Sequence, residues 1–194
     1  MTVAGLLLAA GAGTRFGGPK ALVELSGELL VERGVRLLTE GGCDPLVAVL
    51  GAAADRVQAV TSLPYVVVAA GWAEGMGTSL RAGLDDLVRR PDVQACVIAL
   101  ADQPLVGAGA VVLLRQAWEA GAVAAVATYD GRPRNPVLLD RSVWSEVAVG
   151  ATGDTGAREW LRAHPEQVVP VPCDGTGSPY DIDTPEDLRS VHRA

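Results

Sequence analysis

Arg15 and Lys20 stand in a stretch with four glycines, Gly11, Gly13, Gly17 and Gly18, directly after the apolar run Leu6-Leu7-Leu8-Ala9-Ala10. Glycine lets a backbone turn sharply and bring its N–H groups against a ligand, and N–H groups beside two cations form a cradle for an anion. Phosphate is the expected guest. Two carboxylates from distant stretches suit the same chemistry. Asp102 follows an apolar run at 95–100, and Asp183 stands in Asp181-Ile182-Asp183-Thr184-Pro185. Magnesium usually takes one or two carboxylates together with phosphate oxygens and water, so Asp102 and Asp183 are the expected Mg²⁺ ligands. Each acid also has a plain structural role open to it, Asp102 as cap of the next helix and Asp183 as a surface acid beside Thr184.

Spacing argues against two familiar phosphate loops. A dinucleotide fingerprint needs a third glycine three residues after Gly13, where this chain has Phe16, and an acid closing the second strand, where it has Leu50-Gly51. That disfavours NAD. A P-loop needs glycine followed by Lys and a hydroxyl, whereas Gly18 is followed by Pro19-Lys20-Ala21. Any metal ligands must then come from elsewhere in the chain.

The elements that position these residues follow from periodicity. Val3 to Ala9, Leu46 to Leu50, Tyr65 to Ala69, Ala95 to Leu100, Val123 to Thr128 and Val168 to Val171 read as apolar strands, with a short strand at Val137 to Leu139. Ala21 to Leu25 reads as a short extended segment. Helices are expected from Leu29 to the Gly41-Gly42 stop and over Ala53 to Val60. Another should follow the loop Gly71-Trp72-Ala73-Glu74-Gly75-Met76-Gly77-Thr78-Ser79, with Leu80, Leu84, Leu87 and Val88 on one face, and another should run from Gly107 to Glu119. Two roles stand equally open to Thr78 and Ser79, capping the helix after that loop or contacting a base or ribose. Residues 129–136 read as a turn-rich, basic stretch, Gly153 to Arg158 opens a further helix, and Thr184 caps a last one with Pro185 in its first position. Strands alternating with amphipathic helices predict one α/β domain over 1–194, a mostly parallel sheet with helices on both faces, and a ligand at the strands' carboxyl ends.

Composition bounds the rest. A chain of 194 residues buries roughly 70% of its unfolded surface without disulfides. Cys43, Cys96 and Cys173 are odd in number and scattered, which suits reduced thiols, with Cys96 in a strand core. A net charge of −7 argues against a broad nucleic-acid surface, so any phosphate site is local. With no leader-like start and no apolar stretch of bilayer length, a cytoplasmic protein without membrane contact is expected. His164 and His192 carry no expected role, and Trp118, Trp144 and Trp160 are expected to pack. Trp72, beside the second glycine loop, is the tryptophan least readily read as packing alone.

Leu8-Ala9-Ala10-Gly11-x-Gly13-x-Arg15-Phe16-Gly17 with Lys20, then Glu74-Gly75-Met76-Gly77-Thr78-Ser79-Leu80, Ala101-Asp102-Gln103-Pro104, Gly153-Asp154-x-Gly156-Ala157-Arg158 and Asp181 to Asp187 resemble the molybdenum-cofactor nucleotidyltransferases. The match runs in order from residue 6 to 188, and Ala10 resembles the CTP-using branch more than the GTP-using one. The opening motif alone is shared with nucleotidyltransferases of sugars and sugar alcohols. The resemblance implies a three-layer Rossmann-like nucleotidyltransferase fold and transfer of CMP from CTP to molybdopterin phosphate, with pyrophosphate released and Mg²⁺ required.

On that resemblance Leu8, Ala9, Ala10, Gly11, Gly13, Thr14, Arg15, Lys20, Gly75, Gly77, Thr78 and Ser79 bind nucleotide, and Arg15, Lys20 and Asp102 act in catalysis. Asp102 and Asp183 hold the metal, and Arg134, Asn135, Asp154 and Arg158 meet the acceptor. The implied partners are a nucleoside triphosphate, a phosphorylated pterin and, in passing, a molybdoenzyme. The family usually has Gly-His-Pro where this chain has Arg134-Asn135-Pro136. Asn135 cannot titrate, and Arg132 and Arg134 favour an anionic acceptor. Other acceptors such as sugar phosphates, a noncatalytic nucleotide- or cofactor-binding chaperone and, last, an oxidoreductase remain the alternatives.

Overall fold

The computed structural model describes residues 2–191; His192 lies outside them. In chain order, β1 (Thr2–Ala9) leads through a 3₁₀ turn at Lys20–Leu22 into a hairpin of β2 (Glu24–Leu25) and β3 (Glu28–Leu29), and then α1 (Leu30–Glu40). There follow β4 (Leu46–Leu50), α2 (Ala54–Val60), β5 (Val66–Val68), α3 (Met76–Val88) and β6 (Val93–Leu100). The chain continues with α4 (Ala108–Glu119), β7 (Ala124–Tyr129), β8 (Arg132–Asp140), α5 (Trp144–Gly150), α6 (Arg158–Ala163), β9 (Val168–Pro172) and α7 (Pro185–Val191).

Seven strands form one sheet in the order β5-β4-β1-β6-β8-β7-β9, and β8 alone runs antiparallel to its neighbours. Alternation along β1 explains the three layers. Val3, Leu7 and Ala9 face one side, where Val31, Leu37 and Leu38 of α1, Val57 of α2 and Val111 and Leu114 of α4 pack. Ala4, Leu6 and Leu8 face the other, against Leu80, Leu84 and Leu87 of α3 and Trp144 and Val147 of α5. A strand covered on both faces has no polar side to show, which is why it reads as an unbroken apolar run. From β1 the chain builds outward through β4 and β5, then returns to place β6 on β1's other flank. The carboxyl ends of β1 and β6 therefore adjoin where the order reverses, with Leu8 level with Leu100.

Several local expectations change. Residues 129–136 are not a turn-rich connection: only Asp130 and Gly131, at φ 49° and 70°, make the turn, and β8 already begins at Arg132. Asp-Gly with both φ positive is a favoured two-residue hairpin turn. Pro133 and Pro136 are tolerated because β6 pairs with β8 only from Val137 to Asp140. The segment at Ala21 to Leu25 is a 3₁₀ turn followed by the first arm of the β2–β3 hairpin. On α3, Val88 is 51% exposed and does not share the buried face of Leu80, Leu84 and Leu87. The α5 helix was not legible as a separate element, being one short helix with Trp144 and Val147 as its buried pair. Cys43, Cys96 and Cys173 are free and buried, and burial pushes the Cys43 thiol up to about 12.

Trp144 is 1% exposed, and its Nε1 donates to the Leu139 carbonyl at 3.1 Å. Replacing so large a buried side chain leaves a cavity and an unpaired carbonyl. Trp144→Ala should therefore lower unfolding free energy by about 3–5 kcal/mol, read in urea melts as a lower midpoint at unchanged slope.

Candidate active site

β1 delivers Leu8, Ala9 and Ala10 to the carboxyl edge of the sheet, and the glycine loop starts there. The Gly13 carbonyl accepts hydrogen bonds from the backbone N–H groups of Phe16, Gly17 and Gly18 at 2.9, 2.9 and 3.1 Å. Gly13 has φ 60°, and a Cβ there would lie 1.9 Å from the Gly18 carbonyl oxygen, so the loop's own fold requires this glycine. A Cβ on Gly11 would meet nothing within 4 Å. That backbone is open to a ligand.

Lys20 joins the loop to the two acids. Its Nζ donates to Asp102 Oδ2 at 2.9 Å and to Asp183 Oδ1 at 2.5 Å, while Arg15 Nη1 lies 3.2 Å from Asp183 Oδ2. Burial pulls the Lys20 ammonium down, but the Asp102 charge and the hydrogen bond to Asp183 outweigh it and hold its pKa above the ordinary lysine value. The Lys20 hydrogen bond holds Asp183 below the usual carboxylate range. Asp102 comes directly off β6 through Ala101. Asp183 is placed by Ile182, fully buried beside Val23, Leu25 and Leu30, whose N–H donates to the Asp102 carbonyl at 2.8 Å. Gln103 Nε2 reinforces this by donating to Asp181 Oδ1 at 2.9 Å. Thr184 and Asp187 then close a reciprocal cap on α7: the Thr184 N–H donates to Asp187 Oδ2 at 2.7 Å and the Asp187 N–H to Thr184 Oγ1 at 3.2 Å.

A cleft of about 570 Å³ collects these groups, within the ordinary range for a small-molecule site. Leu8, Ala9, Ala10, Gly11, Gly13, Thr14, Arg15, Lys20, Asp102 and Asp183 all line it. From the second glycine loop come Trp72, Ala73, Gly75, Met76 and Ser79, with Asp154 beside Met76. Neither Thr78 nor Ser79 caps α3. The helix starts at Met76 with Gly75 before it, and Asp154 Oδ1 accepts the Met76 N–H at 3.3 Å. Gly75 and Gly77 lie where a Cβ would meet the backbone of Gly153 at 2.5 Å and of Ala151 at 2.7 Å, so both serve close packing against residues 151–154. Thr78 Oγ1 pairs with Arg81 Nη2 at 3.0 Å, and neither Thr78 nor Gly77 lines the cleft.

Of the acceptor set, Asp154 reaches the cleft, while Arg134, Asn135 and Arg158 stand outside its lining. Arg134 pairs in register with Ala127, and Asn135 and Pro136 form a bulge before Val137 pairs with Val126. The stretch overhangs the same carboxyl edge as Asp102. Arg158, exposed, begins α6.

Two hard-oxygen carboxylates close enough to share one ammonium fit a magnesium ion. Among the described residues no group of three or more His, Cys, Asp or Glu side chains forms a metal cage. Phosphate oxygens and water would have to complete the coordination. Sequence reasoning gave Ile182 and Gln103 no role of their own, their signal being that they adjoin Asp183 and Asp102, and it took Asp154 as an acceptor contact without its bond to the Met76 N–H.

The family described as MobA-like NTP transferase domain matches residues 5–168. The nicotine blue oxidoreductase of Paenarthrobacter nicotinovorans is 37% identical over 96% of this chain and 94% of its own. A probable molybdenum cofactor guanylyltransferase of Opitutus terrae is 35% identical over 66% of this chain and 62% of its own. Among solved structures, Rv0371c of Mycobacterium tuberculosis in complex with manganese is 27% identical, superposes with a TM-score of 0.82 and covers 100% of both chains.

The Lys20–Asp183 contact sets a pH window. A carboxylate with a lowered pKa contributes stability that is present above its ordinary value and lost as pH falls through the lowered one. An ammonium with a raised pKa contributes below the ordinary lysine value and loses it as pH climbs past the raised one. Lys20→Met should move the Asp183 carboxyl titration upward, read by carboxyl carbon NMR, and an unmoved titration would remove Lys20 as its cause.

Proposed function

Because the chain belongs to the MobA-like NTP transferase domain family, we propose that it is a Mg²⁺-dependent nucleotidyltransferase that moves CMP from CTP to a phosphorylated small molecule, molybdopterin first, in the cytoplasm. The observation that carries this reading is the meeting of Arg15, Lys20, Asp102 and Asp183 in one cleft at the carboxyl ends of β1 and β6. An anionic oxygen of the acceptor's phosphate attacks the α-phosphorus. The bond from that phosphorus to the α,β-bridging oxygen breaks, and pyrophosphate carries the electron pair away. The acceptor phosphate is already ionised near neutral pH, so no general base is needed.

Protein groups work here by position and charge. The open backbone from Gly11 onward wraps the triphosphate, and Arg15 presents its planar fork to the departing β- and γ-phosphates. Lys20 supplies a point charge for the oxygens of the α-phosphorus, where charge develops. A magnesium ion, held by Asp102 and Asp183, would neutralise triphosphate charge. Asp154, with Arg134, Asn135 and Arg158 beyond the cleft wall, would serve the acceptor side, and the two arginines favour an anionic acceptor. A passing contact with a molybdoenzyme would receive the product.

The likeness to a protein named as an oxidoreductase favours a second reading, in which the same cleft serves electron transfer. Phe16 in place of a third glycine weighs against a dinucleotide loop in that role.

One screen separates them. Pyrophosphate release should occur with Mg²⁺, CTP and molybdopterin, and fall by about 10²–10³-fold in Lys20→Ala, more through kcat than through nucleotide affinity. Asp102→Asn should abolish metal-dependent release while circular dichroism stays native. No release with any triphosphate and acceptor, alongside consumption of a nicotinamide donor, would transfer the case to the second reading.

A further inference from the structure

A third apolar core stands apart from the two that cover the sheet. Val23, Leu25, Leu30 and Ile182 form it, and Phe16, Leu105, Leu188 and Val191 pack against them. Its members come from the phosphate loop, the β2–β3 hairpin, the start of α1, the connection from β6 to α4, and the segment that runs into α7. All four charged groups that meet in the cleft lie within a few residues of it. Arg15 precedes Phe16, Asp183 follows Ile182, Lys20 stands three residues before Val23, and Asp102 three before Leu105.

Of these groups, Arg15 depends most on the core for its place. Lys20 is held on the far side as well, where the Val23 N–H donates to its carbonyl at 2.9 Å and the Leu30 N–H donates to the Val23 carbonyl at 2.8 Å. The loop before it has less support. Gly13 and Gly17 hold φ 60° and 95°, and a Cβ on Gly17 or Gly18 would meet nothing within 4 Å. The N–H groups of Phe16, Gly17 and Gly18 all turn to the Gly13 carbonyl, so these bonds shape the loop without fixing where it stands. The Arg15 side chain is 76% exposed, and an ion pair so open to water holds its partners weakly. Thr14, Arg15 and Gly17 are exposed, whereas Phe16 between them is half-buried. Its ring is what ties the loop down.

We propose that Phe16 is a positioning residue whose ring, packed against the core that seats Ile182, holds the phosphate loop where Arg15 meets Asp183 and can receive a triphosphate. This rests on reading the cleft as a triphosphate site. A loop already held in place loses less freedom when phosphate arrives, so the ring contributes to affinity. The same packing links the two ends of the charged cluster, because a change at Ile182 reaches the loop through Phe16.

Hydrogen exchange on the free protein tests that link without a nucleotide. Phe16→Ala and Ile182→Ala should each speed exchange of the Phe16, Gly17 and Gly18 amides by about 10-fold. Val147→Ala, in the core that α3 and α5 form on the sheet, should leave those amides unchanged. Calorimetry with Mg²⁺ and inorganic tripolyphosphate tests the binding role. Phe16→Ala should weaken tripolyphosphate by about 10-fold, Phe16→Leu should restore most of the loss, and Val147→Ala should bind as the wild type does. Unchanged loop exchange in Ile182→Ala, unchanged tripolyphosphate affinity in Phe16→Ala, or an equal loss in Val147→Ala would overturn the positioning role. A wild-type protein that binds no tripolyphosphate would overturn the triphosphate reading and the binding role with it, leaving the exchange result to decide the packing link alone.

Discussion

One ammonium group, Lys20 Nζ, bonds at once to side chains from two other parts of the chain. The loop after β1 supplies it, the end of β6 supplies Asp102, and the segment before α7 supplies Asp183. Neither acid relies on the lysine alone for its place. Asp102 is fixed by the last pairs of β6 with β1, and Asp183 by the burial of Ile182 and its bond to the Asp102 carbonyl. The ammonium therefore settles into a prebuilt gap between two carboxylates, and its partial burial strengthens both contacts by excluding water. A cation in that gap is needed by the fold as much as by a substrate. Two carboxylates this close would otherwise repel each other.

The glycines of the site show how one residue type does different work. Gly13 is required by its left-handed backbone and by the carbonyl of Gly18 pressed against it. Gly75 and Gly77 let the second loop lie against residues 151–154, which is also how Asp154 comes to cap α3. Gly51 makes room for an indole, and of these glycines Gly11 has open space where a side chain would be. In the phosphate loop Gly13 packs on its own neighbours, whereas Gly11, Gly17 and Gly18 have nothing within 4 Å of where a Cβ would stand. The second glycine loop, by contrast, spends Gly75 and Gly77 on packing.

That division explains what was legible in the sequence. Doubly covered strands leave continuous apolar runs, so β1, β4 and β6 and the carboxyl edge they share could be read directly, and with them Arg15, Lys20, Asp102 and Asp183. The cap of α3 could not, because its acid comes from residue 154, far along the chain. Ile182 shows no sign of its role in sequence, since its value lies in what it buries against. The second half of β8 was legible as the short strand at Val137 to Leu139, but its first half was hidden by Pro133 and Pro136, which count against a strand unless one knows that β6 stops pairing at Val137. The Asp130-Gly131 turn was readable, but it was absorbed into a longer loop.

Charge sets the remaining constraint on the site. The chain carries a net −7, and the two cations at the cleft face two carboxylates, so the four side chains together contribute no net charge while all are ionised. A nucleoside triphosphate brings several negative charges to that cluster. The open N–H groups of the loop offer partial charges, which cannot by themselves offset a polyanion in a protein of this sign. The proposed reaction therefore has a charge requirement that the protein's side chains leave unmet, and a divalent cation arriving with the triphosphate meets it. The carboxylates that neutralise Lys20 and Arg15 in the free protein are the same ones suited to hold that cation. With a cation on those carboxylates, Lys20 and Arg15 would be free to face the phosphates, and side chains that balance one another in the free protein would then offer positive charge to the triphosphate.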